Sequence, residues 1–162
     1  MPYRAKVEGM DKLAKMLREL EEKAPKVASA ALYVGAGAMQ KELARSVQTI
    51  RTEPFRYVTE GTRLPSPEEK AVVEAGTVGI AKFGKTDDGV DTSVGYSKAG
   101  YADLNGKTVP IPKIANAINS GTSFMGKQPF FRKAAKKGEQ TASGLIAATI
   151  EKNFEKLTEG TK

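Results

Sequence analysis

Residues 79–86, Gly-Ile-Ala-Lys-Phe-Gly-Lys-Thr, satisfy every specified position of the phosphate-loop pattern G-x-x-x-x-G-K-[ST]. That chemistry needs backbone amides and the N-terminus of a following helix to surround the phosphates. Here Asp87, Asp88 and Gly89 follow at once. Two carboxylates repel an anion and the glycine opposes a helix start, so the segment reads as the Gly-rich tip of a hairpin. Residues 34–40, Val-Gly-Ala-Gly-Ala-Met-Gln, begin like a dinucleotide fingerprint. Gln40 stands where the third glycine belongs and no βαβ unit surrounds it, which makes close helix packing the better reading.

Acid-base and nucleophilic chemistry has few carriers. The chain contains no histidine and no cysteine, which removes imidazole bases, the commonest zinc ligands, thiolate nucleophiles and disulfides. Hydrolysis would rest on Lys or carboxylates alone, and the pairs Glu68-Glu69 and Asp87-Asp88, expected in turns or loops, lack a companion His or Lys arrangement to tune them. No catalytic, cofactor-binding or metal-binding residues are assigned. Positive charge is the more informative feature: the formal net charge is +7, and residues 127–137 carry Lys127, Arg132, Lys133, Lys136 and Lys137 with no acid among them. Interleaved with Phe130 and Phe131, they are candidate contacts to DNA or an acidic partner; the favoured reading, with Phe131, Ala134, Ala135 and Gly138 facing the core, is a solvated helix face.

These residues must be held by something. The 162-residue length suits one domain, and 40% hydrophobic with 28% charged residues is an ordinary globular balance. No apolar run approaches a membrane span and the start lacks a signal-peptide core, so a cytosolic product is expected. Val7, Met10, Leu13, Leu17 and Leu20 recur at helical spacing until Pro25, where a second helix is expected to start and run to about Ser46. That second helix has two apolar faces: Leu32, Ala36, Met39, Leu43 and Val47 on one, and Val27, Ala31, Val34 and Ala38 on the other.

Residues 49–69 read as a long mobile loop, rich in proline. Segments 71–75, 77–81 and 90–96 read as strands, with a turn at 85–89. A further turn at 100–107 precedes 108–112, which is too proline-rich for a central strand. A short helix is expected over 113–119, ended by Gly121, and a long one from Pro129, with Phe131, Ala135, Ala142 and Ile146 on its apolar stripe. The expected fold is α+β: N-terminal helices and a long C-terminal helix packed on a small antiparallel β-sheet.

The segment 118–134, Ile-Asn-Ser-Gly-Thr-Ser-Phe-Met-Gly-Lys-Gln-Pro-Phe-Phe-Arg-Lys-Ala, resembles the motif of the tail-completion or head-to-tail joining (neck) family of long-tailed bacteriophages and prophages. In that family a short helix ends in Gly-Thr, and a loop leads to a Gln-Pro-Phe-hydrophobic-Arg-x-Ala helix start. The opening Val7-Glu8-Gly9-Met10-Asp11-Lys12-Leu13 is similar to the family's N-terminus. The resemblance implies a non-enzymatic virion protein without cofactor. It would be made in the host cytoplasm and assembled as a ring, typically hexameric, around double-stranded DNA that passes without sequence readout. The implied partners are the head connector or stopper and the tail terminator or tail tube, with no membrane. Gly121, Thr122, Phe124, Met125, Pro129 and Phe130 become the expected subunit or partner contacts, Phe131 being assigned to the core. The alternative is a basic DNA- or RNA-binding regulator.

Overall fold

The computed structural model describes residues 10–53, 62–86, 89–97 and 100–159, and within them the chain is α+β. Helix α1 spans Met10–Val47, α2 Pro67–Ala75, α3 Ile111–Ser120 and α4 Phe130–Glu159. Six short strands lie between α2 and α3: β1 Val78–Ile80, β2 Gly84–Thr86, β3 Gly89–Asp91, β4 Val94–Tyr96, β5 Tyr101–Leu104 and β6 Lys107–Pro110. The N-terminal motif residues Val7, Glu8 and Gly9 lie outside the described residues.

Two helices were expected before residue 47, and one is found. Pro25 sits inside α1, where it removes one backbone hydrogen bond and crowds the preceding turn. The helix continues because residues 21–26 are all exposed, so the freed carbonyl stays in water. Helix α1 is therefore about 57 Å long and α4 about 45 Å, at ~1.5 Å per residue.

The two long helices pack antiparallel. A Cβ built on Gly35 would lie 2.7 Å from the Ile146 side chain and 3.4 Å from the Ala142 carbonyl oxygen, and one on Gly138 would lie 3.4 Å from Met39 Cα. Lys137 Nζ reaches Glu42 Oε2 at 3.1 Å. The residue numbers of facing positions thus add to between 177 and 181. Only a residue without a side chain lets α1 approach Ile146 this closely at position 35.

Residues 71–75, expected as a strand, form the second half of α2. A capping box starts this helix: Ser66 Oγ accepts from the Glu69 backbone N–H at 3.2 Å, and Glu69 Oε2 accepts from the Ser66 N–H at 2.8 Å, with Pro67 in the first turn. Val72 and Val73 are both buried, as adjacent residues of a short helix under two neighbours can be.

The 77–96 region is a bent antiparallel hairpin in two pieces. β1 pairs with β4, placing Val78 opposite Tyr96, and β2 pairs with β3, placing Lys85 opposite Val90. The Ala81 N–H donates to Ser93 O at 2.8 Å between the two pieces. β5 and β6 form a second hairpin turned by Asn105 and Gly106, both at positive φ of 54° and 74°. Among the described residues each pair stands as a two-stranded unit, so Pro110 at the end of β6 interrupts no larger sheet.

The core has two parts. Val47, Ile50, Val73, Ala115, Ile118, Met125 and Phe130 form one, and Leu43, Val78 and Ala134 form the other. Tyr96 and Phe131 pack against both and join them. No helix among the described residues is long and apolar enough to cross a membrane.

Candidate functional site

Helix α3 ends because Gly121 turns to φ 80° and ψ 167°, its N–H still donating to Ala117 O at 2.8 Å. A side chain there is strained twice over, by the positive φ and by a Cβ that would sit 3.2 Å from Lys127. The next residues close a tight loop. Thr122 N–H donates to Met125 O at 3.0 Å, and Met125 N–H donates back to Thr122 Oγ1 at 3.0 Å. This closure turns Met125 inward, to 5% exposure, and leaves Phe124 at the tip, 68% exposed.

Both flanks of the loop are pinned to the segment before α2. Arg63 N–H donates to Phe124 O at 2.9 Å and Gly126 N–H donates to Arg63 O at 2.8 Å, a parallel bridge across Met125. Arg63 is itself held by a two-pronged ion pair with Glu69, 2.7 Å at each contact, and it donates to Leu64 O at 3.0 Å. Both side chains are largely buried, and the carboxylate bonded to the guanidinium raises the Arg63 pKa above its usual value. Gln128 completes the clamp. Its backbone N–H donates to Ile118 O at 2.9 Å, its side-chain amide donates to Arg51 O at 2.8 Å, and its Oε1 accepts from Arg51 N–H at 2.9 Å. Pro129 then opens α4, and the Phe131 N–H is satisfied by Asn119 Oδ1 at 3.1 Å.

The expected contact residues therefore divide. Thr122 and Phe124 are exposed, Gly121 and Pro129 are half-buried, and Met125 and Phe130 are buried core residues that cannot be direct partner contacts in this fold. The assignment of Phe130 to a contact is overturned, since it is 4% exposed, whereas Phe131, half-buried and edge-on to it at 6.2 Å, does pack against both parts of the core. The buried row of α4 runs Phe130, Ala134, Gly138, Ala142, in steps of four. Gly138 lies over the α1 backbone, and the row stands one position from the expected start of the stripe at Phe131 and Ala135 and shares Ala142 with it.

The expectation of a mobile loop over 49–69 is also corrected in part. Pro65 and Ser66 are buried, and Glu53 N–H donates to Pro65 O at 2.9 Å, so both ends of that stretch are fixed against the core; residues 54–61 lie outside the described residues.

Lys127, Arg132, Lys133, Lys136 and Lys137 are all exposed. Lys137 is paired with Glu42, whose own pKa falls below the usual carboxylate value mainly through that hydrogen bond. Arg51, Lys127 and Lys133 line a depression of 280 Å³ with Thr49, Gln128, Pro129 and Phe130. Arg51 was not singled out from the sequence; only its bonding to Gln128, 77 positions away, brings it here. The two aromatics of this stretch are turned inward or half-buried, so the basic face lacks the open ring that base stacking needs.

The phosphate-loop match lies in the bent hairpin, with Gly84, Lys85 and Thr86 in β2 rather than before a helix. Asp87 and Asp88 lie outside the described residues. Residues 34–40 are interior to α1, in line with the helix-packing reading. Among the described residues no cluster of three or more acids or other metal-ligating side chains occurs. No known protein family, curated protein or solved structure matches the chain.

Proposed function

We propose that this protein is a structural component of the neck of a long-tailed bacteriophage, forming a ring that completes the tail and joins it to the head connector around the DNA path. The observation that carries the reading is the clamped loop between α3 and α4. It presents Phe124, 68% exposed, on a backbone bonded on both sides to Arg63. A large aromatic held out on a rigid loop has already lost the freedom that docking would remove, which is the usual character of an interface anchor. The motif that resembles the neck family coincides with this loop and its flanking helices. The basic depression around Arg51, Lys127 and Lys133 suits phosphates of a passing duplex, bound without sequence readout. It also favours the second reading, a nucleic-acid-binding regulator, whose affinity for short duplexes would fall steeply with salt and vary with sequence.

Complementation tests the proposal. Interrupting the gene should leave DNA-filled heads and finished tails unjoined by electron microscopy, and supplying the wild-type chain should restore joined particles. Phe124→Ala should fold normally and restore few of them. Normal particles after interruption would refute the neck reading.

A further inference from the structure

The α1–α4 hairpin has a band without charge. No charged residue occurs over 27–40 of α1, between Lys26 and Lys41, or over 140–150 of α4, between Glu139 and Glu151. Because facing positions add to between 177 and 181, the two stretches lie level with each other. At ~1.5 Å per residue the band is about 16 to 21 Å long. Its inner side is accounted for by the packing of Ala31, Gly35 and Ala142. Its outer side is not: Tyr33 is 61% and Val34 40% exposed on α1, Ala30 is exposed beside them, and Ser143, Gly144, Ala147 and Ala148 are exposed on α4. Solvated helix faces ordinarily carry charge.

The two outer faces point in opposite directions. Gly35 faces α4. Tyr33 lies about 200° round the helix from it and Ala30 about 140°, at ~100° per residue. Ala142 faces α1. Gly144 and Ala147 lie about 200° and about 140° from it by the same rule. The faces also differ in relief. Tyr33 stands proud on one edge, its ring 6.5 Å from that of Phe83 on the β-hairpin. Ser143, Gly144 and Ala147 leave the other edge flat, with the exposed Leu145 to one side of it, and a Cβ on Gly144 would meet nothing within 4 Å.

We propose that the proud edge of one copy, at Ala30, Tyr33 and Val34, packs into the flat edge of the next, at Ser143, Gly144 and Ala147. The occupant is a second copy of this chain because every copy carries both halves, matched in neutrality and opposite in shape. Joining unlike faces of identical subunits builds rings when the rotation closes. Each face covers about 20 Å by about 10 Å, one helix wide, so a contact buries well under the ~1,200 Å² of a stable pair. The chain is therefore monomeric when dilute and associates where copies are concentrated. This rests on the ring reading for its setting, but its test does not need particles.

The absence of cysteine makes site-directed cross-linking clean. Ala30→Cys and Ala147→Cys replace exposed alanines on opposite edges of one chain, too far apart for a short thiol cross-linker to join within it. In concentrated solution, mixing the two single variants should give severalfold more dimer than either alone, and the double variant should give a ladder of oligomers. Adding Gly144→Arg should abolish the ladder while the protein melts normally. Dimer from Ala30→Cys alone matching the mixture would show like faces meeting and overturn the proposal. So would a mixture no better than Ala30→Cys with cysteine placed at exposed Lys113, or cross-links only to a different neck protein. Normally joined particles alongside failed cross-linking would discard this interface and leave the neck reading standing. Cross-linking in a chain dispensable for particles would do the reverse.

Discussion

Phe130→Ala should unfold this protein more readily than any other single aromatic truncation around the α3–α4 loop. Phe130 is 4% exposed and packs in the cluster of Val47, Ile50, Val73, Ala115, Ile118 and Met125. That cluster draws on α1, α2, α3 and the loop, so neighbours anchored from four directions cannot all collapse into the vacated space. Truncating a buried Phe costs about 3 to 5 kcal/mol, against a total of roughly 5 to 15 kcal/mol for a domain. For a chain of this size 1 kcal/mol moves the melting temperature by about 2 to 4 °C, which gives a fall of about 6 to 20 °C. Phe131→Ala, half-buried, should fall between, and Phe124→Ala, at 68% exposure, should melt within about 2 °C of the parent. Thermal melts followed by circular dichroism decide the order. Phe130→Ala melting like the parent, or Phe124→Ala losing as much, would mean that the inward and outward assignments around the loop are wrong.

Three further outcomes are expected. Burial and the nearby Glu74 push the Tyr96 phenol up to about 12, and its hydroxyl donates to Val73 O at 3.1 Å. The folded state thus keeps a proton that the unfolded chain loses near 10, so stability should decline from about pH 10 to 12, and Tyr96→Phe should remove the late component of a 295 nm absorbance titration. A single transition near 10 for all tyrosines would contradict this. Gly35→Leu, facing Ile146 across the helix pair, should destabilise by about 1 to 3 kcal/mol through overpacking, measured by urea denaturation; a neutral result would mean that the helices are not in close contact there. Gln128→Ala, which removes both bonds to Arg51, should cost about 1 to 3 kcal/mol and speed amide exchange at Arg51 in particular; unchanged exchange would rule out the clamp.

Much of the fold was legible because it is carried by local chemistry. Gly121 and Pro129 announced the end of α3 and the start of α4, and Asp87-Asp88-Gly89 argued correctly that no helix follows the phosphate-loop match in 79–86. The errors arose where one local signal hid another. Pro25 signals a break by its own chemistry, and the helix continues only because its turn faces water, which residue spacing does not reveal. Ser66-Pro67-Glu68-Glu69 contains a capping box, yet its two prolines nearby made it look like loop. The stripe expected on α4, through Phe131, Ala135, Ala142 and Ile146, starts one position off the buried row Phe130, Ala134, Gly138, Ala142, of which Ala134 and Gly138 were expected to face the core. The candidate site was half visible: the motif marked the loop, but Arg63, Glu69 and Arg51 reach it only through tertiary pairing that no spacing reveals.

Pairing between the first helix and the last also governs how the chain can be made. Gly35 and Ile146 are 111 positions apart, so on the ribosome α1 emerges long before its partner exists. At roughly 5 to 20 residues per second, the inner face of α1 waits about 5 to 20 s for α4, with its uncharged stretch open to other nascent chains. Contacts at such separation close late and slowly. The exposed charges of 15–26 that flank this stretch, among them Arg18, Glu21, Glu22 and Lys23, then serve as gatekeepers, keeping the half-made chain dispersed until its own C-terminus arrives.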